Sequence, residues 1–176
     1  IERHVAIMLS LLDDMLTIGK ADAVKLKTIG APIDIGTFAT GIIQEVETAC
    51  RGTHHVQLKL HPGTIPAINS DEKFLRNIFI NLLTNAIKYS PQCKEVALDI
   101  YGQDNEVCFQ VTDRGMGIAQ DDIERIFEPF YRCSSTKNIN GTGLGLSIVK
   151  RAADALKAKV MVETQIGAGT TFKVLL

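Results

Sequence analysis

The segment from Asp71 to Tyr89 most constrains what this chain can fold into. Its apolar residues Leu75, Ile78, Phe79, Leu82, Leu83 and Ala86 recur at helical spacing, it opens on acidic residues, and Pro91 stands just beyond its end. Those features predict one amphipathic helix over 71–89. Two alternating runs follow, Val96 to Tyr101 and Val107 to Thr112, with Gly102-Gln103-Asp104-Asn105 between them as a hairpin turn. Helical spacing also marks Ile35 to Ala49 and about Leu144 to Leu156. Strand patterns mark Val56 to Leu60, Val160 to Thr164 and Thr171 to Leu175, the last two joined through Gly167-Ala168-Gly169. This order predicts an α+β fold: an α/β sandwich with a mixed five-stranded sheet covered by about three helices on one face.

Before that domain, Val5, Met8, Leu9, Leu12, Met15 and Leu16 form a stripe of coiled-coil character, predicting a long amphipathic helix to about Leu26. The Gly30-Ala31-Pro32 cluster then breaks the chain, so two units are expected, 1–30 and 31–176. A length of 176 residues, 45% of them hydrophobic, suits one well-buried domain with such an appendage. With 19 basic against 20 acidic side chains, the chain offers no electrostatic footprint for nucleic acid. No apolar run approaches the roughly 18 residues of a membrane span. Cys50, Cys93, Cys108 and Cys133 lack any C-x-x-C pair, which favours reduced thiols and a cytoplasmic setting over disulfides or zinc. The start at Ile1, without an initiator methionine, reads as a fragment of something longer.

Four stretches carry chemistry. On the 71–89 helix, Asn81, Asn85 and Lys88 fall within about 60° of one another. They are either an ordinary solvated face or a site, since a carboxamide oxygen suits Mg²⁺ and a lysine neutralises phosphate. Asp113-Arg114-Gly115-Met116-Gly117-Ile118 sets an acid at a strand end before two glycines. It is a simple turn, or a place where Asp113 accepts a hydrogen bond from an exocyclic amine such as adenine's, where guanine would present an acceptor. Gly141-Thr142-Gly143-Leu144-Gly145-Leu146 opens a helix, the physical recipe for holding phosphate, but lacks the spacing of a dinucleotide fingerprint or of a Walker loop. Between the glycine clusters, Ile126-Phe127-Glu128-Pro129-Phe130-Tyr131-Arg132 anchors what reads as a hinged lid.

Taken in this order, the four stretches resemble the boxes of the ATP-binding catalytic domain of two-component sensor histidine kinases, in the GHKL superfamily. Asn81 to Tyr89 resembles the N box, Asp113 to Ile118 the first glycine box, Phe127 to Arg132 the F box, and Gly141 to Leu146 the second glycine box. Leu16 to Ala21 resembles the end of the dimerisation and phosphoacceptor hairpin. The resemblance implies the GHKL fold and ATP with Mg²⁺ as ligands. It implies that Asn85 ligates the metal, Asn81 supports it, Lys88 contacts phosphate and Tyr89 lies against adenine. Asp113 reads the amine, Gly115, Gly117 and Ile118 shape the base pocket, and Gly141, Thr142, Gly143, Leu144, Gly145 and Leu146 form the phosphate loop. Arg132 and Lys137 approach the γ-phosphate. Hydrolytic members of the superfamily carry a glutamate where Asn81 stands, so phosphate transfer to histidine is favoured over hydrolysis. A nucleotide-binding signalling module without kinase activity and a hydrolytic ATPase are the competing readings.

Two departures stand out. Arg114 replaces a smaller polar residue, and Ala155-Leu156-Lys157 replaces a common His-Gly-Gly. No phosphoacceptor motif is present, because His4 is followed by Val5-Ala6-Ile7. The resemblance therefore implies an acceptor helix upstream, a homodimer in the full-length protein, and a response regulator as the downstream partner, with no membrane contact by this segment.

Overall fold

A computed structural model describes residues 28–61, 68–103, 106–136 and 139–176. The long amphipathic helix expected before Leu26, the tip of the turn at 104–105, and Lys137 lie outside them. The elements run β1 (Ala31–Ile33), α1 (Ile35–Ala49), β2 (His55–Leu60), β3 (Ile68–Ser70), α2 (Glu72–Tyr89), β4 (Glu95–Gln103), β5 (Glu106–Asp113), α3 (Gly145–Leu156), β6 (Lys159–Gln165) and β7 (Gly169–Leu175). Short 3₁₀ turns at Gln120–Asp122 and Ser134–Thr136 punctuate the long connection between β5 and α3.

The main sheet is five-stranded in the order β2-β4-β5-β7-β6. Only β2 and β4 pair in parallel; the other neighbours are antiparallel, so the sheet is mixed as expected. Val96, Leu98 and Ile100 of β4 alternate toward the same core as Val107, Phe109 and Val111 of β5. Leu75, Ile78, Phe79, Leu82 and Leu83 of α2 fill that core from the helical layer. Phe79 is its hinge point: its ring meets Phe109 edge-on at 5.0 Å and Phe38 of α1 at 5.5 Å, joining two helices to the sheet.

One pairing escaped the sequence pattern. Residues read as a break at Gly30-Ala31-Pro32 belong in part to β1, which pairs antiparallel with β3 in a separate two-stranded sheet. A two-stranded ribbon has only edges, so Pro32 opposite Asn69 removes no interior ladder bond.

Asp71 ties this ribbon to α2. Its carboxylate caps the helix by accepting from the Lys73 N–H at 3.0 Å and also accepts from the Ile29 N–H at 3.1 Å. Asp71→Ala should therefore lower stability by about 1 kcal/mol. Urea unfolding checks this, and an unchanged midpoint would contradict the capping role.

Candidate functional site

The C-terminal half of α2 supplies the first wall of the site. While Leu82, Leu83 and Ala86 point into the core, Asn81, Asn85 and Lys88 turn toward the glycine-rich loop before α3. They line one cleft with Gly141, Thr142, Gly143, Gly145 and Leu146, about 740 Å³ in volume including the space open to solvent. The loop comes this close because it lacks side chains. A Cβ at Gly145 would lie 2.9 Å from Asn81 Oδ1, and one at Gly141 would lie 2.1 Å from Lys88 Nζ. Asn81 Nδ2 donates to the Asn77 carbonyl at 2.8 Å, and Lys88 Nζ donates to the Tyr89 hydroxyl at 3.0 Å. Leu144 is fully buried beneath the loop, its N–H held by Thr142 Oγ1 at 3.2 Å. The first turn of α3 has no side-chain cap, so its amide end is available to an anion.

The second wall is built at the end of β5. Asp113 is 7% exposed and faces a pocket of about 670 Å³, mouth included, shared with Asn85, Tyr89, Met116, Gly117, Ile118, Leu146 and Thr170. Its Oδ1 accepts from the Gly115 N–H at 2.8 Å and the Ser90 hydroxyl at 3.1 Å. The two pockets share Asn85, Tyr89, Gly143 and Leu146, so they form one continuous cleft. Beneath the Asp113 turn, glycines lock three backbones together. A Cβ at Gly115 would lie 2.2 Å from the Tyr89 carbonyl oxygen, one at Gly117 2.1 Å from that of Gln165, and one at Gly169 2.1 Å from that of Asp113.

Burial raises the Asp113 carboxyl above its ordinary 3.8, against the lowering effect of hydrogen bonds from Gly115, Ser90 and Thr170. A carboxyl raised in the folded state binds more protons folded than unfolded. It therefore favours the fold at low pH, and that contribution is lost as pH rises from 3.8 through the raised value. The stability of Asp113→Asn relative to the parent should accordingly improve across this window. Denaturation midpoints measured at successive pH values check it, and a pH-independent difference would count against it.

The lid segment closes the cleft's third side. Phe130 adopts φ 64° and is 55% exposed, while its N–H donates to the Gly143 carbonyl at 3.0 Å. Tyr131 donates to Asp122 Oδ1 at 2.6 Å beneath the Arg125 guanidinium. Arg132, expected near phosphate, lines the Asp113 side of the cleft and donates to the carbonyls of Thr136 at 2.7 Å and Ile139 at 2.5 Å. It thus staples the lid's own backbone in this conformation.

Sequence reasoning missed Ser90 and Thr170. Ser90 directly follows the helix at Tyr89, and a hydroxyl beside the asparagine-bearing face is the available signal. Thr170 reaches the pocket only because β7 pairs it opposite Asp113, a register that no local pattern displays.

Among the described residues there is no group of three or more His, Cys, Asp or Glu able to hold a metal. The Asn85 carboxamide lines the cleft beside the glycine loop and offers an oxygen donor of the hard type that divalent cations accept. Also among the described residues, no helix is long and apolar enough to cross a membrane.

Against known proteins, the profile of the histidine kinase-, DNA gyrase B- and HSP90-like ATPases matches residues 70–176. Histidine protein kinase DivJ of Caulobacter vibrioides is 30% identical over 172 residues, covering 96% of this chain and 28% of DivJ. Phosphate regulon sensor protein PhoR of Pseudomonas aeruginosa is 29% identical, covering 94% of this chain and 38% of PhoR. The crystal structure of full-length ShkA in complex with AMPPNP superposes with a TM-score of 0.82 at 30% identity, over 96% of this chain and 35% of ShkA. The chain thus spans less than two fifths of each of these proteins.

Proposed function

Because the chain belongs to the histidine kinase-, DNA gyrase B- and HSP90-like ATPase family, we propose that it is the ATP-binding catalytic part of a two-component sensor histidine kinase. Residues 31–176 form the catalytic domain and 1–30 the end of the dimerisation and phosphoacceptor hairpin. The γ-phosphoryl group passes to a histidine on an upstream helix of the same or the partner subunit, for relay to a response regulator. The parent protein acts as a homodimer with this part in the cytoplasm. The similarity to DivJ, PhoR and the AMPPNP complex of ShkA supports the assignment.

In the cleft, adenine lies between Tyr89 and the Asp113 wall, where Ile118 and Met116 supply apolar contact and the carboxylate accepts from the exocyclic amine. Phosphates extend toward Lys88, the glycine loop and the uncapped start of α3. Asn85, which lines the cleft beside the glycine loop, would hold Mg²⁺ through its carboxamide oxygen, and the ion would neutralise charge on the phosphate oxygens. Gly143 and Phe130 hold the lid against the cleft, Arg132 braces the lid's own carbonyls at Thr136 and Ile139, and water is excluded as the lid settles.

The observation that carries transfer over hydrolysis is Asn81. It occupies the position from which a hydrolytic relative draws a glutamate base, its amide is committed to Asn77, and an amide removes no proton from water. Mixing the chain with a separately purified histidine-bearing helical domain and γ-labelled ATP should place acid-labile label on that domain alone. Phosphate released at the same rate without the acceptor would overturn the kinase reading in favour of a hydrolase.

A further inference from the structure

Asp113 is held by Ser90, and Ser90 is held from outside the cleft. On the turn between α1 and β2, half-buried His54 lies with Nε2 3.0 Å from the Ser90 carbonyl oxygen. A carbonyl only accepts, so Nε2 carries the proton in this contact. The other ring nitrogen faces Thr53 Oγ1 at 3.0 Å, and Thr53 is itself within 2.9 Å of the Cys50 carbonyl at the end of α1. Thr53 Oγ1 has one hydrogen, which goes either to the Cys50 carbonyl or to Nδ1, and the Nε2 bond to Ser90 holds the ring in both cases.

Ser90 follows the last residue of α2 and is 1% exposed. Its N–H reaches back to the Ile87 carbonyl at 3.3 Å, and its own carbonyl accepts from both His54 and the Cys93 N–H, the latter at 3.2 Å. Fixing that carbonyl fixes the rotation about the Ser90 Cα–C bond. The direction in which Cβ leaves the backbone relative to that carbonyl follows, and from there one staggered rotamer carries the hydroxyl to its 3.1 Å bond with Asp113 Oδ1. Gly115 packs on the same point, since a Cβ there would lie 2.6 Å from Ser90 Oγ.

We propose that His54 is a positioning residue for nucleotide recognition, acting through Ser90 to hold the Asp113 carboxylate in the orientation that reads the base. This rests on the reading of Asp113 given above. It makes the turn at Cys50 to His54, remote in sequence from every glycine box, part of the recognition apparatus. Nothing in the glycine-rich motifs points to that turn, because the link runs through a main-chain carbonyl.

The test measures ATP affinity by calorimetry and the half-saturating ATP concentration against turnover in phosphotransfer. His54→Leu, which removes the donor, should weaken ATP binding about fivefold, the loss of one net hydrogen bond. Half-saturation should rise by the same factor while turnover at saturating ATP stays unchanged. His54→Gln, whose amide nitrogen reaches the carbonyl, should restore affinity. In a Ser90→Ala background His54→Leu should add almost nothing, because the two act in one chain. Wild-type affinity in His54→Leu, or a loss fully additive with Ser90→Ala, would overturn the proposal. If His54→Leu does not fold, His54→Asn, too short to reach the carbonyl, replaces it with the same expected loss. Parent protein that fails to bind ATP would instead overturn the nucleotide reading. Parent that binds, Asp113→Asn that weakens, and His54→Leu that matches the parent would remove this inference alone.

Discussion

Asp113→Asn is expected to weaken ATP binding by about 10- to 100-fold, the loss of a hydrogen bond to a charged acceptor, while leaving the fold intact. The change is nearly isosteric, and the Gly115 N–H still requires an acceptor at the position of Oδ1. The other terminal atom must therefore become the amide nitrogen, a donor where the adenine amine also donates. Donor facing donor leaves both unpaired in a site where Asp113 itself is almost fully buried. Guanine presents a carbonyl at the same ring position, so GTP should bind the variant at least as well as it binds the parent. Calorimetry with both nucleotides checks this, and parent-like affinity for ATP together with an unchanged GTP affinity would remove Asp113 from base recognition.

Gly117→Ala is expected to destabilise the domain by about 3 kcal/mol, combining left-handed strain with a steric collision. Gly117 has φ 69°, and its missing Cβ would stand 2.1 Å from the Gln165 carbonyl oxygen and 2.9 Å from Ile166 Cα. Both are backbone atoms, so no rotamer relieves the contact. The β6–β7 turn must move, breaking the Gly167 N–H bond to the Met116 carbonyl at 2.9 Å and the Ile118 N–H bond to Thr164 Oγ1 at 2.9 Å. Gly52 provides the control: its φ is 66° and no atom lies within 4 Å of its missing Cβ. Gly52→Ala should show the backbone strain alone, about 1 kcal/mol. Equal urea midpoints for the two variants would mean that the collision at Gly117 is relieved elsewhere.

The legible parts of this molecule were those written in local periodicity. α1 and the end of α2 fell where the stripe and Pro91 placed them, and the five strands of the main sheet emerged within a residue or two of the alternating runs. The shared face of Asn81, Asn85 and Lys88 is a direct product of helical angle, and their common cleft follows from it. What local pattern could not show was long-range pairing. β1 and β3 are three residues each and separated by more than thirty positions, so neither carries a period of its own. Thr170 enters the site through β-sheet register, and Arg132 turns back to lid carbonyls whose positions depend on how the segment after it coils. The site's outline was readable because it is assembled from motif glycines. Its hydrogen-bond geometry was not, because main-chain carbonyls at Tyr89, Ser90 and Gln165 have no sequence signature.

The glycine contacts around Asp113 divide the cleft mechanically. On that side main chain meets main chain at Tyr89, Gln165 and Asp113, leaving no torsion through which the wall can yield. On the other side Gly141 and Gly145 abut the ends of side chains, Lys88 Nζ and Asn81 Oδ1, while Gly143 meets main chain only at Phe130, in the lid segment itself. One ligand spanning both would be gripped as in a vice, its ring end against a fixed jaw and its charged end against a sliding one. Choice of base and handling of phosphate thereby become separate degrees of freedom within a single small domain.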